Sequence, residues 1–218
     1  MLQKNFRLRL RTLNQFLDPA RHHSLLEIGS AYGFFLELVE DRFDAVGIDI
    51  AEDGTRYAKD FLQLNVIRDD YLAHDFGGHY FDVVCLWDTI EHLRDPHLYV
   101  EKISRHTKRG ALLAITTGDV ESFVARTKKE RWRIIHPPTH LHYFSRTTLK
   151  QLLDKCGFDV ISSRHCGFYR SVDNILYNIL VLRKKRQGIY DLLKKSGLTT
   201  LSCYLNVYDI LYVVARRR

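Results

Sequence analysis

Cysteine is sparse in this chain and never closely paired: none of Cys85, Cys156, Cys166 and Cys203 stands in a C-x-x-C spacing. Neither a zinc ribbon nor a disulfide framework is indicated. With no secretory leader visible, the simplest expectation is a reducing cytoplasm. Low-complexity tracts and internal repeats are absent. No apolar run approaches the ~20 residues that cross a bilayer; ILYNILVL, next to a basic cluster, has eight and includes Asn178.

Acidic residues are scarce in the second half. Residues 1–120 hold 14 Lys+Arg against 19 Asp+Glu, a net of −5, whereas residues 121–218 hold 19 against 7, a net of +12. Such asymmetry suggests that the second half meets something anionic: a phosphate-bearing substrate, a nucleic acid or an acidic membrane surface. A solvated basic face explains any single cluster equally well. The N-terminal segment MLQKNFRLRLRTLNQFL has no acid at all. Phe6, Leu10, Leu13 and Leu17 fall at helical spacing, with Lys4, Arg7 and Arg11 on another face, and the pattern runs directly into the first strand signal, which favours a folded first helix over a transit peptide.

What is present along the chain alternates. Leu25–Ile28, Ala45–Ile50, Asn65–Arg68, Phe81–Trp87 and Ala111–Thr117 read as strands, with helical patterns over Phe34–Val39, Asp53–Leu64 and Pro96–Thr107. This order predicts a mostly parallel α/β sheet covered on both faces, with ligand loops at the strand C-termini. Asp119–Arg133 reads as a basic helix or loop. Ser145 is placed to cap a helix ending at Cys156–Gly157. Phe158–His165 reads as a sixth strand, LNVYDILYVVARR as a seventh, and Val172–Ser196 as a helical insertion between them.

The loop Gly29-Ser30-Ala31-Tyr32-Gly33 lacks the third glycine of a dinucleotide fingerprint and the lysine of a P-loop, which disfavours a pyrophosphate cradle. Glycine there still lets backbone approach a flat ligand. Glu27 ends the first strand, suited to a cationic group. Asp49 ends the second, where a carboxylate can accept from ribose hydroxyls. Asp70 follows along the same edge and could accept from an adenine amine. Together these acids favour a ligand with a ribose, an adenine and a positive centre. Each acid taken alone could equally cap the next helix.

LLEIGSAYGFF, AVGIDI, the Asp69-Asp70 pair, FDVVCLWDTIEHLRDP and GALLAITT, in this order, resemble the successive motifs of class I S-adenosylmethionine-dependent methyltransferases, and within them the group related to ubiquinone-biosynthesis O-methyltransferases. HPPTHLHYFSRTTLKQLLDKCGF and NVYDILYVVARR are similar to later segments of that group. The resemblance implies a Rossmann-like, seven-stranded, single-domain fold. It implies that Gly29, Ser30, Ala31 and Gly33 line the methionine and ribose part of the cofactor, that Asp49 holds the ribose, that Ile50 packs on the adenine and that Asp70 meets its amine. Glu27, Trp87 and Asp88 match further motif positions. Ala31 replaces the central glycine of the commonest form of the loop.

Asp88-Thr89-Ile90-Glu91-His92 carries three readings. The Glu-His pair fixes the loop and touches the cofactor; or His92 is a general base; or Asp88, Glu91 and His92 join a distant histidine around a metal. The expectation is no metal. His136, His140 and His142 cannot all face one way from an extended segment, though His140, His142 or Tyr143 could serve as a base. RTKKERWR (126–133) and RKKR (183–186) could bind phosphate. The second follows ILYNILVL, and an apolar stretch beside cations is the pattern of a segment lying on an anionic membrane; a helix packed over the substrate pocket is the competing reading. The acceptor is expected to be an oxygen on a small molecule, lipid-linked compound or glycan. An RNA methyltransferase and a non-catalytic binding module are the alternatives.

Overall fold

The computed structural model describes residues 1–218, the side chain of Leu198 excepted. Nine strands and seven α-helices follow in chain order. The strands are β1 Ser24–Ile28, β2 Asp44–Asp49, β3 Val66–Arg68, β4 Phe81–Trp87, β5 Thr107–Gly118, β6 Phe158–His165, β7 Phe168–Ser171, β8 Ser202–Leu205 and β9 Ile210–Arg217. The helices are α1 Leu2–Leu13, α2 Glu52–Asp60, α3 Pro96–Arg105, α4 Phe123–Lys128, α5 Arg146–Lys155, α6 Val172–Leu176 and α7 Gln187–Lys195.

Seven strands form one sheet in the order β3-β2-β1-β4-β5-β9-β6. Strands β1 to β5 pair in parallel, and β9 runs antiparallel between β5 and β6. The central strands are apolar on both faces because each face is covered. Leu26, Val84, Leu86, Leu113 and Ile115 pack into one core with α3 and α5. Their alternates Leu25, Val83, Cys85, Leu112 and Ala114 pack into another with Leu13 of α1, as the two-residue period of a strand requires. The acid-free N-terminal segment is thus a folded helix against the sheet. All four cysteines are free thiols, and no helix among the described residues is long and apolar enough to cross a membrane.

Several predicted boundaries hold closely. The side chain of Ser145 accepts from Thr148 N–H at the start of α5, and Gly157 ends that helix at φ +84°. The expected helix over Phe34–Val39 reduces to one 3-10 turn, Leu36–Leu38. Bonds of different length alternate there, Glu37 to Gly33 but Val39 to Leu36, so that Phe35, Leu36, Val39 and Phe43 all reach the core. The expected last strand, from Leu205, begins only at Ile210 as β9; Asn206–Asp209 form a loop, and Leu205 instead ends the separate strand β8. An unforeseen ribbon, β7 paired with β8, carries the helical insertion. The insertion itself is α6, a π-helical stretch Tyr177–Arg183, and α7.

Candidate functional site

A cavity of about 410 Å³ opens at the C-terminal edge of the parallel strands, lined by Ile28, Gly29, Ile48, Asp49, Ile50, Asp69, Tyr71, Asp88, Thr89, His92, Leu93, Arg94 and Tyr99. Its floor is the β1 loop. Gly29 stands at φ +79°, and a Cβ there would meet Thr89 at 2.6 Å, so only glycine fits between the loop and the segment after β4. The Asp49 carboxylate reaches back to this loop, accepting from Ala31 N–H at 2.8 Å and from Ala51 N–H at 2.8 Å. Ala31 stands at φ +45°, a left-handed conformation that costs a non-glycine residue energy and that this bond helps to hold. Two further glycines complete the packing: a Cβ on Gly54 would fall 2.8 Å from the Ala31 backbone, and one on Gly47 would fall 2.7 Å from Ser30 Oγ.

Of the residues expected at the cofactor, Gly29, Asp49, Ile50 and Asp88 line this cavity. Ile50 is 74% exposed at its rim, an apolar surface open to a flat ring. Ser30 and Gly33 shape the loop from below: Ser30 is buried against Gly47, and Gly33 packs on Ala58 and Leu64. The acid at the cavity after β3 is Asp69, whereas the Asp70 carboxylate accepts from Leu72 N–H at 2.9 Å and from the Tyr99 hydroxyl at 3.4 Å. Trp87 turns to the other side of the sheet, against Phe35 and Tyr212, with the Arg9 guanidinium over its ring.

Glu27 is 2% exposed, and its Oε2 has no hydrogen-bond partner. Burial holds its carboxyl well above the usual range, opposed by the positive charge of Arg9 and reinforced by Asp49. Sequence reasoning did not foresee Arg9 here. Its only signal was a cation on a helix that packs against β1 and β4.

Past β4 the chain turns sharply. Asp88 stands at φ +51°, and its N–H donates to the Thr116 carbonyl and hydroxyl, both at 3.0 Å. Its carboxylate pairs with Arg9. The Glu91 carbonyl accepts from the N–H groups of Leu141 and His142, and His92 Nδ1 lies 2.8 Å from the Thr139 carbonyl. The Glu-His pair therefore anchors the 136–142 segment to the cavity edge. With Nδ1 donating to that carbonyl, the neutral His92 ring keeps Nε2 as an acceptor.

Among the expected bases, His92 alone lines the cavity. His140 sits behind it, the rings perpendicular with centroids 4.6 Å apart, and burial lowers the pKa of His140. His142 Nε2 is 3.0 Å from the Arg94 carbonyl. Ligand-capable atoms of Glu91, His92 and His140 come within 4.8 Å of one another. A divalent ion could be held there by a set drawn from two segments, which spacing within 136–142 alone did not suggest.

A second cavity of about 360 Å³ lies across Asp88, lined by Leu2, Asn5, Phe6, Arg9, Trp87, Asp88, Arg133, Cys166, Gly167, Phe168 and Ile210. Arg133 reaches it from the basic 126–133 stretch, bonded to buried Asp209 at 2.8 Å and stacked over Phe168. Asp88 is the residue common to both cavities.

A doubly covered sheet in this order, with a glycine cradle and a paired acid at its C-terminal edge, defines an open α/β fold that binds its ligand at the ends of its parallel strands. The chain belongs to the methyltransferase domain family, which it matches over residues 1–163. The cofactor that this family implies is S-adenosylmethionine; the Gly29 cradle and the Asp49 carboxylate at the cavity fit its ribose and methionine parts. The fold is shared with an S-adenosylmethionine-dependent methyltransferase of Archaeoglobus fulgidus, with a TM-score of 0.66 at 20% identity over 99% of this chain and 94% of that one. It is shared also with one of Thermotoga maritima, at 0.65 and 16% over 99% and 91%. A methyltransferase candidate from Bacillus halodurans gives 0.67 and 16% over 95% and 97%.

Proposed function

We propose that this methyltransferase methylates an oxygen of a small or lipid-linked acceptor seated in the second cavity. The observation that carries this reading is the position of Asp88 between the two cavities. When bound, S-adenosylmethionine supplies an electrophilic methyl on a sulfonium. Asp49 would hold its ribose, Ile50 its adenine face and the Gly29–Gly33 loop its methionine end. Phe6, Trp87 and Phe168 suit an apolar or aromatic acceptor, and Arg9 and Arg133 suit an anionic group on it. Alignment supplies most of such a rate enhancement, and a base supplies the rest. His92 lines the first cavity on the loop that leads on from Asp88, and its Nε2 is the base we assign to the proton of an acceptor hydroxyl that reaches past Asp88. The Glu91 carboxyl stays buried beside it.

The experiment is calorimetry with S-adenosylmethionine followed by release of S-adenosylhomocysteine against phenolic and lipid-linked acceptors. His92→Ala should lower turnover at saturating S-adenosylmethionine by about 100-fold or more. Absence of cofactor binding by the folded protein would sink the reading. Binding without turnover on any such acceptor would leave a binding module.

A further inference from the structure

The helical insertion carried by the β7–β8 ribbon presents a surface that neither cavity uses. Among the described residues none between 172 and 200 lines either cavity, which leaves the insertion outside the walls of the acceptor site proposed above. Tyr177 and Tyr190 face each other with centroids 5.5 Å apart, and the Tyr190 hydroxyl donates to Asp173 at 2.8 Å. These contacts clasp α6, the π-helical stretch and α7 into one hairpin. It leaves four large aliphatic side chains exposed, Ile179 and Leu182 at 40% and 60% on the π-helical arm and Ile189 and Leu192 at 44% and 69% on α7. Ile189 and Leu192, at i, i+3 on an α-helix, share a face, and large apolar side chains left exposed together in one short segment mark a contact with something else.

The charge around that surface identifies the partner. Arg183, Lys184, Lys185 and Arg186 join the two arms, Lys194 and Lys195 end α7, and all six are exposed. Among the described residues none of them forms a salt bridge. The acids of the segment, Asp173 and Asp191, are engaged by Tyr190 and Gln187. A second copy docked on this face would bring two cationic surfaces together. Nucleic acid would be met by aliphatic side chains, whereas base recognition uses aromatic stacking.

We infer that this hairpin seats the protein on an anionic lipid surface, the four aliphatic side chains entering the acyl boundary while the lysine and arginine heads stay among the headgroups. Phe168, on the ribbon that carries the hairpin, lines the second cavity, which places that cavity near the lipid.

The test is co-sedimentation of the full chain with phosphatidylcholine vesicles containing about one-third phosphatidylglycerol, beside vesicles of phosphatidylcholine alone. Binding is expected to the anionic vesicles, to weaken steeply at about 0.5 M salt, and to fall about fivefold for each cation removed from 183–186. The L182S/L192S variant, which keeps every charge, should lose most of the vesicle binding while retaining its melting temperature and S-adenosylmethionine affinity. No sedimentation with anionic vesicles at low salt would overturn the inference. So would undiminished binding by L182S/L192S, which would reduce the attraction to charge alone. A concentration-dependent dimer in light scattering that the same variant abolishes would assign the face to a second copy instead.

Discussion

The carboxylate of Asp49, at the end of β2, accepts the N–H of Ala31 in the β1 loop at 2.8 Å. One acid therefore shapes the loop under the cavity and, in the function proposed above, also holds the ribose. Asp49→Ala should weaken S-adenosylmethionine binding by about 1.5–3 kcal/mol, the scale of charge-assisted hydrogen bonds. It should also lower the stability of the ligand-free protein by about 1 kcal/mol through the lost Ala31 and Ala51 bonds. Calorimetry and urea unfolding read the two effects separately. Unchanged affinity in a folded variant would remove Asp49 from the site.

Gly54 gives a test in which two principles disagree. Alanine here, in the first turn of α2, should favour the helix by up to about 1 kcal/mol, yet its Cβ would press on the Ala31 backbone at 2.8 Å. Backbone cannot swing aside as a side chain does, so the contact should prevail. Gly54→Ala is expected to raise the dissociation constant of S-adenosylmethionine about tenfold or more, and tighter or equal binding would show that the loop has room.

Lys102 of α3 is buried, and its Nζ donates to the carbonyls of Tyr71 at 2.7 Å and Leu72 at 3.1 Å, and to that of His74. One ammonium thus fastens the turn that follows β3, next to Asp69 and Tyr71 at the cavity. Lys102→Met keeps the stem and strands the three carbonyls, so a loss of about 2–4 kcal/mol is expected in thermal or urea unfolding. Hydrogen exchange should quicken across residues 70–76 before the rest of the sheet.

Glu91 makes stability depend on pH. Burial, with Asp88 alongside, lifts its carboxyl from an ordinary 4.5 to about 7. Between those values the folded chain keeps a proton that the unfolded chain has released, so this contribution favours folding below pH 4.5 and is lost as pH rises through 7. The loss amounts to at most about 3 kcal/mol. Glu91→Gln should therefore gain stability relative to the parent at pH 8 more than at pH 5. Buried Glu27 shifts in the same direction, so part of the slope should survive. An identical difference at both pH values would contradict the shift.

The sheet was legible because its strands are short apolar runs bounded by glycine, proline and acids; β4 and β6 fall on their predicted residues. The cavity edge was legible to the extent that it is local: Gly29, Asp49, Ile50 and Asp88, which line it, are where motif and strand end meet. What escaped depends on contacts between distant segments. Whether Asp69 or Asp70 faces the cavity is decided by the Asp70 turn to Leu72 and by Tyr99 from α3. Arg9 meets Asp88 only because α1 lies across the end of β4. The pairing of β7 with β8 was hidden because their four-residue ladders are separated by the whole insertion. No spacing rule could join His140 to Glu91 and His92.

The place of β9 has a consequence for how the chain is made. Because it lies between β5 and β6, the sheet cannot close until Arg217 has been synthesised. The five parallel strands can assemble earlier on the ribosome, but they do so with the β5 edge bare, an open template for other chains. β6 meanwhile has no neighbour to pair with. Nascent chains halted just before Ile210 should accordingly be the protease-sensitive and aggregation-prone ones, even though their cofactor edge is already complete.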